Sequence, residues 1–513
     1  PRDTLLFTVM ATKSQLRTLA DLLLNSVNSI ETRLASRNLA FPSLATPFDP
    51  HTEAESVLRE TDMLSAVSQI VAAASQMIAM VRTPVETVME YSMLYHLPSC
   101  LRAAIESNVV EIVGRAGPKG IHIHDIARIN GTSPQKLGRI LRLLANHHVF
   151  REIRRDVFCT NRLSSVLDSG KSLEKLDANP QARYENSSGV AALVVMHADE
   201  GLKSSAFLTE AFLSPCTAHS TQATDSPWNI AFQTNMFIFD YYDKPKKAHL
   251  KVRFSSAMAC STRLEPPAAI LAGFDWTKLP VSATVVDVGG GVGATSLIIA
   301  KNVPHLNLVV QDRTSVISVA HKYWPYEMIA SGRVRLQEHD FFSAQPIRDA
   351  DVFLLRWIMH DYDDTKAWEI LQNLREAATS STKLVTVDIL MPHTCIDDEQ
   401  DSHYDIPGAF TPSAPGPLLP NMGAANNMKY WLDMQVRDDC ADVGTRGMTR
   451  LADVRTRKQS GTNIAAVRCV GRMRRMESCA GASHSWLCAR SVCLDTHMSE
   501  KEASRKMAQP SAR

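Results

Sequence analysis

None of the ten cysteines forms a Cys-x-x-Cys pair. That leaves no zinc-ribbon spacing and no disulfide framework, and it points to reduced thiols in a cytoplasmic protein. An excess of either charge is also missing. Lys plus Arg number 55 against 54 Asp plus Glu, for a net charge of +1, so nothing global points to nucleic acid or a membrane surface. No run of consecutive apolar residues approaches the roughly 18 that a membrane-spanning helix needs. The chain opens on Pro1 rather than on Met, which reads as a fragment or a processed chain. Its first stretch lacks the shape of a signal peptide: a basic region, an unbroken apolar core and a small-residue cleavage site. What is present is enough for a large core, with 45% hydrophobic residues over 513 positions, a length that suggests two or three domains.

The chain is organised around Thr284–Arg313. Thr284, Val285 and Val286 open an apolar, β-branched run that reads as a buried parallel strand. Gly289, Gly290, Gly291 and Gly293 follow, then a helix-spaced stretch from Ala294 to Lys301, then a second buried strand from Leu306 to Gln311. Strand, glycine turn, helix, strand is one right-handed βαβ unit. The glycines let the backbone turn tightly and approach a ligand closely. Asp312 ends the second strand, where a carboxylate can take two ribose hydroxyls. The spacing Gly289-x-Gly291-x-x-Ala294 also satisfies the dinucleotide fingerprint, which alone is a weak signal. Asp287, just before the loop, is awkward beside a pyrophosphate and natural beside a cationic amino group.

Further strands are expected at Arg333–His339, Asp351–Ile358 and Lys383–Leu390, the first running into Asp340-Phe341-Phe342. An acidic residue followed by an aromatic at that strand end could hold an adenine by hydrogen bond and stacking. The expected fold class is α/β, a doubly wound sheet of order 3-2-1-4-5, in which ligands bind where the winding reverses, outside the carboxyl ends of the strands. The glycine loop follows strand 1, His360 follows strand 4, and Asp388 ends strand 5. An imidazole titrates near 6.5 and a phenol near 10. Such a base can take a phenolic proton as the oxygen attacks. A carboxylate on the far ring nitrogen, for which Asp388 is the candidate, sets the tautomer.

Upstream, Thr12–Ser36 and Glu53–Met80 read as helices joined by a proline-rich loop. Ile70–Met80 is apolar on nearly every side, the pattern of a helix buried in a core or against a second copy of the chain. Residues 99–160 read as three helices and a two-stranded wing, a winged helix-turn-helix, with Ser133 or Thr132 capping the third helix and Pro134 in its first turn. Lys136, Arg139 and Arg142 on that helix raise the question of DNA, but three cations on one helix usually form a solvated face. His122 and His124 alternate on a strand-like run and read as structural or surface residues rather than metal ligands.

At these residues the chain resembles the plant-type O-methyltransferases, in particular the fungal branch acting on polyketides and related phenols. The stretches that carry the resemblance are VVDVGGGVGATS, VVQDR, EHDFF, LLRWIMHDYDD and LVTVDILMP, with weaker matches at Phe254/Met258 and residues 419–435. The resemblance implies a Rossmann-like class I methyltransferase domain that binds S-adenosylmethionine over 266–435. Before it would come N-terminal dimerisation helices over 1–90, a winged-helix part over 91–170 and pocket helices over 171–265. It implies a homodimer contacting through the N-terminal helices, a small phenolic substrate, no metal, and no nucleic-acid or membrane partner. Carried over by motif, Asp287 and Gly289–Gly291 would face the methionine part of the cofactor and Asp312 its ribose. Asp340 and Phe341 would hold the adenine, and Arg356 stands where the family has a basic contact. His360 would be the general base flanked by Asp388. Phe254, Met258 and Trp357 would line the acceptor pocket. The chain departs from the family after Gln435. Met448-Thr449-Arg450 stands about where a second base-flanking Glu should be, and residues 436–513 are expected to form a divergent tail. That departure keeps a second reading open, a catalytically impaired methyltransferase-like scaffold or partner protein. A winged-helix transcription factor and a nicotinamide dehydrogenase are the remaining alternatives.

Overall fold

The computed structural model describes residues 13–220, 222–261, 269–388, 392–396, 414–440 and 471–472. Met448-Thr449-Arg450 and nearly all of the expected tail lie outside those residues.

Five parallel strands form the main sheet: β4 (Thr284–Val288), β5 (Asn307–Asp312), β6 (Val334–Glu338), β7 (Val352–Arg356) and β8 (Lys383–Val387). Their order is β6-β5-β4-β7-β8, the 3-2-1-4-5 arrangement expected from the sequence. A two-residue strand β9, Gly471–Arg472, pairs antiparallel with Lys383 and Leu384 at the edge. The central strands are buried on both faces, which is why they read as continuous apolar runs. Because side chains alternate along a strand, Val285, Leu308, Val310, Val352 and Leu354 pack on one side with Ile299 and Trp276. Val286, Val288, Val309, Phe353 and Leu355 pack on the other with Ile370 and Leu374. Asp287, in mid-sheet, stands in register with Val310 and Leu354. The register brings the carboxyl ends of β4, β5, β7 and β8 to one edge, where Gly289, Asp312, Arg356 and Asp388 follow or end their strands.

The N-terminal part is helical. Ser14 caps the helix Gln15–Ala35 by accepting from Arg17 N. That helix packs against Thr61–Val81 through Ile30, Leu34, Met63 and Ala66, and Arg33 and Arg37 both reach Glu60. The expected single helix from Glu53 is instead two, Glu53–Val57 and Thr61–Val81. The second contains no long run of consecutive apolar residues, but Asp62–Val81 is long and apolar enough to cross a bilayer by length and composition, with a mean hydropathy of 1.6. Ser65, Ser68, Gln69, Ser75 and Gln76 interrupt every apolar run within it. Its Ala72 and Ala73 are buried against Leu19 and Leu418, while Val71, Ile78, Met80 and Val81 face outward. The next helix, Pro84–Met93, starts on a Thr83 cap with Pro84 in its first turn and buries no residue.

The winged element closes as β1 (Ile121–His122), β3 (Val157–Cys159) and β2 (Arg151–Arg154), in that spatial order and antiparallel. Ser133 caps the helix Pro134–Asn146, whose Leu137, Leu141 and Leu144 enter the local core. Arg142 on its outer face is paired with Glu152 and Asp156 of the wing. Two local expectations are corrected. The helix read from Ser99 breaks into His96–Glu106 and Val109–Ala116 because Asn108 is left-handed, with φ of 58°. His124 lies in a helix rather than a strand: His122 Nδ1 accepts from His124 N and starts Ile123–Asn130.

Candidate active site

The glycine turn follows β4, and its backbone disfavours a side chain at Gly289, Gly291 and Gly293, all of positive φ. Gly289 has φ of 68°, and a Cβ on it would stand 2.6 Å from Ile358 Cδ1. Gly291 has φ of 61° and nothing within 4 Å of where its Cβ would be, so that position opens directly onto a cavity. The cavity holds about 1140 Å³, above the ~300–1,000 Å³ typical of a single small-molecule site. It has room for two ligands side by side.

Asp312, at the end of β5, turns both oxygens to backbone: Oδ2 accepts from Gly291 N and Oδ1 from Arg313 N, each at 2.8 Å. Burial raises its carboxyl above the usual range, and those two bonds oppose the shift. Asp287 is fully enclosed and accepts from Ser296 Oγ at 2.6 Å. Burial pushes it up to about 6, against the pull of that hydrogen bond and of Arg356. Such a carboxyl gains by meeting a cation. Asp340 Oδ1 accepts from Phe342 N at 3.0 Å, which holds the loop after β6. Phe341 stands edge-on to Tyr362, with ring centroids 5.7 Å apart. All of these residues line the same cavity.

His360 lines it too, in the short 3-10 turn Met359–Asp361 just beyond β7. Its Nδ1 is 2.6 Å from Asp388 Oδ1 and its Nε2 is 3.3 Å from Asp361 Oδ1. Burial pulls the imidazole down, but the two carboxylates outweigh it and hold the ring well above its ordinary 6.5. Asp388 is buried at the end of β8, with 2% of its side chain exposed against 25% for His360. Trp357 connects the strand to this turn in a left-handed conformation with φ of 55°, while its N–H donates to Val387 O at 2.9 Å. A bulky residue so placed is strained and persists only where its surroundings demand it. The Arg356 guanidinium stacks on the Trp357 ring at 4.4 Å.

The third wall comes from the helix Ala248–Ser261, which carries Phe254 and Met258. Phe254 packs against Phe239 and Tyr242. Beneath it, Arg253 is buried in a pair with Asp199 and Glu200, anchoring the helix to a one-turn π-helix at His197–Gly201. Every residue expected at the site from the sequence borders this space except Asp388, which stands behind it in contact with His360. Among the further residues that border it, four bear on the chemistry and were given no role from the sequence. Asp361 and Tyr362 stood unassigned inside the HDYDD motif. His197 lies in a segment with no motif, and Lys429 lies within the weaker family match over 419–435, which gives it no role.

An O-methyltransferase domain model matches residues 216–412 and an O-methyltransferase dimerisation domain model matches residues 89–169. An O-methyltransferase of Armillaria gallica is 43% identical over 428 residues, covering 82% of this chain and 89% of the relative. The 4-O-methyltransferase 1 of Phanerochaete chrysosporium is 40% identical over 427 residues, covering 82% and 90%. Among solved structures, OxaC in complex with sinefungin and meleagrin superposes with a TM-score of 0.54 at 16% identity, covering 74% of this chain and 84% of that one. At that identity the likeness shows the fold.

Proposed function

The chain belongs to the O-methyltransferase family, and from that premise we propose that it methylates an aromatic hydroxyl of a polyketide-like secondary metabolite with His360 as general base. The donor of the family is S-adenosylmethionine, and the donor set fits it. Asp287 answers a cationic amino group, Asp312 two vicinal hydroxyls, and the open face of Gly291 a close backbone approach. Asp340 and Phe341 answer an adenine, by hydrogen bond and by ring contact. When bound, that cofactor supplies a methyl group on a sulfonium that is already an activated leaving group.

What remains for the protein is alignment and one proton. Phe254, Met258 and Trp357 form an apolar slot for a flat acceptor. Holding an oxygen in line with the methyl can supply ~7–11 kcal/mol. Asp388 on Nδ1 leaves Nε2, with Asp361 Oδ1 3.3 Å from it, as the nitrogen to take the acceptor proton. Removal of that proton by a positioned base contributes ~10²–10⁴ in rate. The single observation that carries this reading is that His360 and the glycine loop border one cavity.

The experiment is transfer of labelled methyl from S-adenosylmethionine to a panel of phenols, with cofactor binding measured separately. The expected result is transfer to at least one phenol, and a large loss of cofactor affinity in Asp312→Ala. Cofactor binding with no transfer to any phenol would support the second reading, a scaffold without turnover, which the absence of a Glu at Met448-Thr449-Arg450 favours.

The dimerisation domain supports a homodimer, and we place the contact on the outer faces of Thr61–Val81 and Pro84–Met93. Val85, Val88 and Met89 are 74%, 66% and 56% exposed, an apolar surface of the kind a partner covers. Val88→Arg combined with Met89→Arg should yield monomer on size-exclusion with light scattering.

A further inference from the structure

Lys429 lies on the helix Asn427–Cys440, which packs against the 3-10 turn carrying His360. It lines the cavity with Leu432 and Gln435 of the same helix. Two other cations on the cavity wall are paired: Lys251 with Asp243, and Arg313 with Asp240 and Asp243. Lys429, half-buried, makes no hydrogen bond or ion pair among the described residues. Asp433, one turn along the same face, is engaged elsewhere. Burial alone lowers the Lys429 ammonium to about 8. The residue also stands in the first turn of its helix, where the macrodipole disfavours a cation and favours an anion. An unpaired, partly desolvated ammonium on the wall of a substrate pocket costs stability unless a ligand answers it.

We propose that Lys429 is an anion subsite of the acceptor pocket, and that the acceptor is an aromatic hydroxyl compound carrying a carboxylate. This rests on the methyltransferase reading and narrows its substrate class. The hydroxyl would face His360 while the carboxylate reaches Nζ from the same bound ring, so one molecule spans both groups.

The test uses the full chain saturated with S-adenosylhomocysteine and a panel of hydroxybenzoates, hydroxycinnamates and hydroxynaphthoates, each beside its methyl ester. Binding is read by calorimetry and turnover separately with S-adenosylmethionine. The expected result is at least one acid that binds tenfold or more tightly than its ester, a ratio that falls below threefold in Lys429→Met and is kept in Lys429→Arg. S-adenosylhomocysteine binding by each variant certifies its fold. A smaller preference throughout the panel, or one that survives in Lys429→Met, overturns the proposal. Esters methylated as readily as acids would leave the methyltransferase reading standing and this one refuted. Selective acid binding with no transfer to any acceptor would do the reverse.

Discussion

Asp388 Oδ1 lies 2.6 Å from His360 Nδ1, although 28 residues separate them in the chain. The contact exists because β7 and β8 are neighbouring parallel strands, in register from Val352 opposite Lys383 to Arg356 opposite Val387. Both residues follow that last pair at the same sheet edge. The same edge carries the glycine turn after β4 and Asp312 at the end of β5. An imidazole with one nitrogen committed to a buried carboxylate is therefore held beside the cavity that the glycine turn and Asp312 border.

Asp361 sets the pH at which that imidazole can act. Two carboxylates raise the His360 pKa well above 6.5, and only the neutral ring accepts a proton. Turnover should therefore rise with pH through this elevated value. Asp361→Asn removes one of the two charges, so the acid limb of kcat/KM should move to lower pH. Asp388→Asn should move it the same way and also lower kcat, because the ring loses its orienting partner. A pH–rate profile of each variant, with the limb unmoved in Asp361→Asn, would count against this assignment.

Asp287 trades stability for cofactor affinity. Its folded pKa of about 6 lies above an unfolded carboxyl near 3.9. The protonated form is therefore favoured by folding. That contribution is complete below pH 3.9 and is lost as pH rises through 6. At about 1.4 kcal/mol per pKa unit the cost in the ligand-free protein at pH 7 and above is roughly 3 kcal/mol. Asp287→Asn should raise the ligand-free Tm at pH 8 more than at pH 5. It should also abolish most of the Tm gain on adding S-adenosylhomocysteine. Differential scanning fluorimetry at both pH values reads both effects.

Gly289→Ala should fail at both requirements of its position. The added Cβ would meet Ile358 at 2.6 Å and Phe341 at 3.2 Å, on a backbone with φ of 68°. Positive φ costs a non-glycine residue roughly 1–3 kcal/mol. The expected outcome is a lower Tm together with weaker cofactor binding. Gly291→Ala, which meets nothing within 4 Å, should lose affinity with a smaller loss of Tm.

The sheet was legible because its strands are buried on both faces, and an apolar β-branched run has few other uses. Val285 and Val286 point to opposite cores, so neither could be polar. Strand ends were less legible: β7 stops at Arg356, two residues short of the apolar run, because Trp357 turns left-handed and nothing in its side chain announces that. His124 was misread because alternation of apolar and polar residues over so short a stretch cannot distinguish a strand from a capped helix start. The cofactor side of the site was readable as a motif, since a single βαβ unit supplies most of it. The acceptor side was not. His197 comes from a π-helix without a motif, and Lys429 from a helix more than 200 residues later, in a weak family match that assigns it no role.

The central claim is that His360 removes the acceptor proton while other groups hold the cofactor. The most direct measurement is single-turnover methyl transfer by His360→Gln at saturating S-adenosylmethionine, with cofactor affinity determined on the same preparation. The account predicts unchanged affinity and a rate lowered by ~10²–10⁴. A variant that binds the cofactor normally and transfers methyl at close to the wild-type rate would contradict it.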